Sequence, residues 1–204
     1  MSMRTLIFVL SAILLLPATG ALASDQHVIY DRKLGNWNVQ CTREFCLVTL
    51  IVTHGAGNTT TVVKIDRATL KPDNFSIVIS GNVDQEKGVT VQFVKTLVDA
   101  KNPECAGGPQ APKPVQCYRQ ELLAHKTFNG NLDCGYQKCF AKFPGQTIGT
   151  QGSPGRINLL NEYEDDDALL ILWNDKNGNL KTVMLDIDGF KQAYDAALSV
   201  LRNT

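Results

Sequence analysis

The chain has 204 residues, 20 Lys+Arg against 20 Asp+Glu, 44% hydrophobic and 7% aromatic residues, and a pI near 6.8. A balanced charge lacks the basic excess with which nucleic-acid and anionic-membrane binders hold phosphate, so no nucleic-acid partner is expected. The apolar fraction is too high for a disordered chain, and 16 Gly and 8 Pro exclude collagen-like and low-complexity classes.

The first 23 residues read as a secretory signal peptide. One basic residue, Arg4, precedes an apolar run from Thr5 to Leu16; Pro17 and Gly20 break the run, and Ala21-Leu22-Ala23 puts small residues where a signal peptidase inspects them. A spanning helix needs about 20 apolar residues, so the run suits cleavage better than an uncleaved anchor. No Cys stands at the cut, which argues against a lipid anchor. Residues 24–204 are then expected to form a single β-rich domain, periplasmic or secreted, with no stable membrane anchor after cleavage.

Past the cut, the pattern is mostly β. Trp37, Val39 and Cys41 alternate with polar residues, as in a half-buried strand. Phe45 to Val52 is a nearly continuous apolar run, which predicts a strand buried on both faces. Thr59 to Ile65 and Phe75 to Ile79 follow as strands, the second after a turn signal at Pro72-Asp73-Asn74. Val89, Val91 and Phe93 alternate in a strand that can run to Val98. A helix is weakly patterned over residues 116 to 125, and Asn129-Gly130 is a candidate tight turn. Weaker strands are predicted for Tyr136 to Phe143 and Arg156 to Leu160. Residues 168–173 and 180–185 flank Asn177-Gly178, a hairpin signal. The chain closes in an amphipathic helix with Phe190, Ala193, Tyr194, Ala197, Leu198 and Leu201 on one face, Asp188 as expected N-cap and Arg202 near the C-terminal dipole. The expected fold is mainly β: an antiparallel β-sandwich or partly open barrel with a C-terminal α-helix.

All six cysteines, Cys41, Cys46, Cys105, Cys117, Cys134 and Cys139, lie after the cut. Six cysteines allow 15 pairings. Nearest-neighbour spacing favours Cys41–Cys46 and Cys134–Cys139 as staples of strand–turn–strand units, and Cys105–Cys117 around a Gly/Pro-rich loop. Redox catalysis would call for a two-residue spacing, and a four-Cys zinc site would compete with oxidation outside the cytoplasm.

Sequence signals for chemistry are sparse. His27, His54 and His125 are scattered without metal-ligand spacing. Gln151-Gly152-Ser153-Pro154-Gly155 has Gln151 where a nucleophile elbow needs Gly. The acidic run Glu162 to Asp167 is the best metal suspect, yet it lacks EF-hand spacing and reads more simply as a solvated turn. Asn58-Thr59-Thr60 and Asn74-Phe75-Ser76 are glycosylation sequons by pattern.

Gly35-Asn36-Trp37-Asn38-Val39-Gln40-Cys41, the later pair Cys134 and Cys139, and Gly189-Phe190-Lys191-Gln192-Ala193 opening the last helix resemble the invasion-associated locus B family of exported bacterial proteins. Asn36 stands where that family has an acid, Lys138 where it has a Gly, and Cys105 and Cys117 are additional. The resemblance implies a β-rich periplasmic or secreted protein linked to host-cell invasion, with no catalytic residues to carry over. The expected function is protein binding without catalysis or cofactor, toward an unidentified partner, host-derived in the invasion reading. The first candidate surface is the loop carrying Lys101, Pro103, Pro109, Pro112, Lys113 and Pro114, where three prolines and a bridge would lower the entropy lost on binding. The alternatives are a periplasmic enzyme or enzyme inhibitor, and a structural envelope protein.

Overall fold

The computed structural model describes residues 27–55, 57–98, 118–149 and 156–204. In chain order these form β1 (Tyr30–Leu34), β2 (Trp37–Cys41), β3 (Phe45–His54), β4 (Gly57–Asp66), β5 (Lys71–Ser80), a 3₁₀ turn (Gln85–Lys87), β6 (Val89–Val98), β7 (Tyr118–Gly130), β8 (Asp133–Cys134), β9 (Lys138–Phe143), β10 (Gln146–Ile148), β11 (Arg156–Asn158), α1 (Leu159–Asp165), β12 (Ala168–Asn174), β13 (Leu180–Asp186) and α2 (Phe190–Asn203). The fold is mainly β and antiparallel, with two open principal sheets, a two-stranded β10–β11 ribbon and a C-terminal helix packed on the larger sheet.

The larger sheet has strand order β1-β2-β3-β4-β5-β9-β8. Its register puts Val39 opposite Val48, Val48 opposite Val63, Val63 opposite Phe75, and Phe75 opposite Phe143. Side chains alternate along a strand, so this register gathers every second residue onto one inner face. That face includes Cys46, Val48, Leu50, Ile65, Ile77, Ile79 and Ala141, all buried. The smaller sheet, order β13-β12-β6-β7, contributes Val91, Phe93, Leu169, Ile171, Val183 and Leu185 to the same core. The sheets meet where Phe128 of β7 packs edge-on against Phe143 of β9 at 4.9 Å and where His54 of β3 lies 5.7 Å from Trp173 of β12.

Two helices fill what remains of the inner face. Tyr163 of α1 is buried at the centre of a ring cluster, 5.1 Å from both Phe75 and Phe190 and 5.7 Å from Phe93. Its hydroxyl shares a 2.5 Å hydrogen bond with Thr61 Oγ1, which satisfies two buried polar groups at once. Helix α2 lays Phe190, Ala193, Tyr194, Ala197 and Leu201 over β2 and β3. Trp37 of β2 donates its indole N–H to the carbonyls of Ile187 and Asp188 at 3.3 and 3.2 Å, tying the sheet to the chain just before the helix.

Several local expectations are corrected. β3 is not buried on both faces: Cys46, Val48 and Leu50 are buried while Phe45, Leu47 and Thr49 are half-buried, because no described layer covers the outer face. The helix expected over 116–125 is instead strand β7, from Tyr118 onward, held by pairing with β6 along its length. The register between them shifts so that Thr127 faces Gln92 and Leu122 faces Val94, and Leu123 to Lys126 bulge opposite Phe93. Pro72-Asp73-Asn74 lies inside β5, at a register shift in β4, and the turn precedes it: Asp66 Oδ1 accepts the N–H groups of Ala68 and Thr69. Gly130 makes no positive-φ turn. It is needed for close approach, since a Cβ there would stand 2.5 Å from the Phe143 ring. The strand at Arg156 ends at Asn158, and Leu159 begins α1. Asp188 is not the N-cap of α2: Gly189 holds that position at φ +80°, a conformation glycine adopts without strain.

Candidate functional site

The predicted binding loop, with Lys101, Pro103, Pro109, Pro112, Lys113, Pro114 and the pair Cys105 and Cys117, lies outside the described residues. So does the segment Gln151 to Gly155. The other two bridges are formed. Cys41–Cys46 and Cys134–Cys139 each join directly opposed residues of neighbouring antiparallel strands, with Cα atoms 4.0 Å apart.

The two staples differ in setting. Cys41–Cys46 is fully buried beneath α2, where Cys46 Sγ lies 3.5 Å from the Ala197 carbonyl oxygen. Cys134–Cys139 closes a hairpin whose tip is ordered by backbone bonds from Gly135 N–H to the Lys138 carbonyl and from Gln137 N–H to the Gly135 carbonyl. Tyr136 at that tip is 94% exposed, the most exposed large hydrophobic side chain among the described residues. Beneath it is a cleft of about 520 Å³ between the hairpin and the Asp84–Glu86 turn, with Gln137, Lys138 and Lys176 on its rim. Asp84 Oδ1 fixes the turn by accepting the Glu86 N–H, and Gly81 N–H donates to the Gln137 carbonyl across the cleft. The arrangement offers an exposed aromatic side chain on a backbone-ordered hairpin beside a mixed-charge cleft. Sequence reasoning placed this hairpin as a staple but missed Tyr136, because nothing local distinguishes an exposed aromatic from a core one.

The acidic run is not a solvated turn. Its first residues end α1, and Asp166 is buried. Lys126, carried on the bulge of β7, forms ion pairs with Glu162 and with Asp166, the latter at 2.9 Å. Burial, together with hydrogen bonding to Asp166, raises the Glu162 pKa against the opposing pull of Lys126. Burial works against the Lys126 ammonium, but hydrogen bonds to both carboxylates outweigh it and raise its pKa. Asp167 accepts the Thr96 N–H, and Lys191 pairs with Glu164 at 3.5 Å. Lys126, Lys191 and one backbone N–H thus engage Glu162, Glu164, Asp166 and Asp167, while Asp166 Oδ1 is buried without a hydrogen-bond partner among the described residues. Among the described residues no three His, Cys, Asp or Glu stand together so as to hold a metal ion.

His54 Nε2 lies 2.8 Å from Thr59 Oγ1, bracing the β3–β4 hairpin, and His27 is exposed near the start of the described chain. His125 lies on β7. Of the sequon residues, Asn58 is exposed on β4 and Asn74 is half-buried on β5.

Two disulfide-stapled hairpins on an open antiparallel β-fold define a protein of oxidising, extracytoplasmic surroundings. No family model matches the chain, and no curated protein matches its sequence. Among solved structures the fold is similar to that of invasion associated protein B from Bartonella henselae, with a TM-score of 0.53 over 86% of this chain and 99% of that one, at 10% sequence identity.

Proposed function

We propose that the protein is an exported, non-catalytic binding protein of the periplasm or the cell exterior that engages a protein partner, host-derived as in the invasion role named for its structural neighbour. The observation that carries this reading is Tyr136, an aromatic side chain held in solvent on a disulfide-closed hairpin. Exposing a tyrosine this fully forgoes burial, while a rigid amphipathic ring loses little entropy on binding and is a frequent anchor of interfaces. The loop around Pro109, Pro112 and Pro114, for which the sequence leads us to expect a Cys105–Cys117 bridge, is the second candidate contact of the same reading.

The test is binding of labelled mature protein to the surface of cultured animal cells. Tyr136→Ala is expected to weaken binding by about tenfold, the scale of a modest interface hot spot, with an unchanged melting temperature. Replacing residues 106–116 with a Gly/Ser linker reports the loop's share. Unaltered binding in both variants would remove these surfaces from consideration. Turnover of a substrate by the purified protein would overturn the non-catalytic reading.

A further inference from the structure

A sheet edge exposes unpaired backbone donors and acceptors, and proteins blunt such edges with charges, bulges or brevity. Three of the four principal sheet edges are blunted here. β1 carries Asp31, Arg32 and Lys33 in succession, β8 has two residues, and β7 bulges between Leu122 and Thr127. The fourth edge, β13, is neither short nor bulged. It keeps unbroken register with β12 from Leu180–Asn174 to Asp186–Ala168, and its one central charge, Lys181, leans to Asp175 at 3.4 Å.

The outer face at this edge is apolar. Leu180 is 61% exposed and Met184 39%. Leu170 and Leu172, half-buried, stand opposite Met184 and Thr182 on the same face. Further in, Ala168 and Val94 oppose each other on that face and are buried apart from the principal core.

We infer that β13 is a self-association strand: a second copy of this chain pairs with it antiparallel about a two-fold axis at Thr182, continuing the small sheet across both copies. Opposed residues in such a pair share a face, so each Thr182 meets its counterpart, and each Leu180 meets the second copy's Met184. Charge favours a second copy as the occupant. Lys176 extends beyond one end of the strand, Asp186 and Asp188 lie at the other, and among the described residues none of the three has an ion-pair partner in its own chain. Antiparallel pairing brings the lysine end of each copy to the acidic end of the other.

The test is sedimentation velocity of the mature protein from ~1 to ~100 µM, a range in which a specific dimer populates by mass action. The wild type is expected to dimerise. Thr182→Lys and Thr182→Asp each place like charges at the axis and are expected to be monomeric with native melting temperatures. Their equimolar mixture is expected to restore the dimer, since the opposite charges then meet. Thr90→Lys, on the same sheet face but two strands from the edge, is expected to leave the dimer intact. A wild type that stays monomeric overturns the proposal and leaves β13 open to a strand from another protein. A dimer that persists in Thr182→Lys places the interface elsewhere, and a mixture that fails to reassociate refutes the two-fold register.

Discussion

Lys126 shows how one side chain converts an acidic run into structure. It leaves the bulge of β7 to reach Glu162 and Asp166, and the Asp166 side chain has no solvent exposure. Removing one member of a buried ionic group leaves the others uncompensated, which costs more than the intact group contributes. Lys126→Met is therefore expected to lower unfolding free energy by about 3 kcal/mol at neutral pH, toward the low end of the range because Lys126 retains some solvent contact. The pH dependence carries a definite sign. Glu162 has a pKa raised above its ordinary value of 4.5, so its ionisation disfavours the folded state, and stability is lost as pH rises through the raised value. Lys126 has a pKa raised above 10.5, so its contribution is present below that value and lost as pH rises through the raised one. The penalty of Lys126→Met should shrink as pH falls through the raised Glu162 value, where that carboxylate takes up a proton. Urea denaturation at neutral and acid pH measures the difference, and a penalty that grows on acidification would contradict it.

At the scale of elements, α2 is a wall of the core. Its alanines, Ala193 and Ala197, have no exposed surface, and their small size lets the helix approach the buried Cys41–Cys46 bridge closely. Leu201 is buried one turn beyond Ala197, whereas Leu198 is only half-buried. Leu201→Asp should destabilise the fold by about 4 kcal/mol, combining a lost core side chain with a buried charge. Leu198→Asp should cost distinctly less. Thermal melts of the two variants check this, and equal effects would mean that the face of α2 is assigned wrongly. The short α1 depends on packing in the same way. At seven residues it is below the length at which isolated helices persist, and Tyr163 anchors it among Phe75, Phe93 and Phe190.

For the whole molecule, the two described disulfides differ in protection, although Cys139 of the second is itself buried. Cys41 and Cys46 have no exposed surface, while Cys134 is half-buried in a hairpin whose tip stands in water. Thiol–disulfide exchange needs access to a sulfur, so mild reduction should open Cys134–Cys139 first. Alkylation under native conditions followed by peptide mass spectrometry reads the order, and earlier labelling of Cys41 and Cys46 would show that α2 does not shield them. Each bridge closes a short loop and constrains the unfolded chain by about 2 kcal/mol. Loss of the first staple should therefore leave a folded protein with a loosened Tyr136 hairpin.

Much of this molecule was legible in local pattern. Alternation at Trp37, Val39 and Cys41 marks an inward face because side-chain direction in a strand has period two. The spacing of Phe190, Ala193, Tyr194, Ala197 and Leu201 marks one helix face because an α-helix repeats every 3.6 residues. The near pairs Cys41–Cys46 and Cys134–Cys139 follow from hairpin geometry, which sets residues close in sequence directly opposite each other. Tertiary structure decided the rest. β7 is a strand because β6 supplies a hydrogen-bonding partner, although its own sequence is patterned weakly as a helix. Asp166 is buried with a charge partner because Lys126 arrives from β7, a strand distant in sequence, and Gly189 displaces Asp188 as helix cap because the backbone there takes φ +80°, which glycine adopts without strain. Tyr136 is exposed and Tyr163 buried because one lies at a hairpin tip and the other between two sheets. Period and spacing are properties of the local backbone and can be read from sequence, whereas burial, charge compensation and strand pairing join residues far apart in the chain and exist only once it has folded.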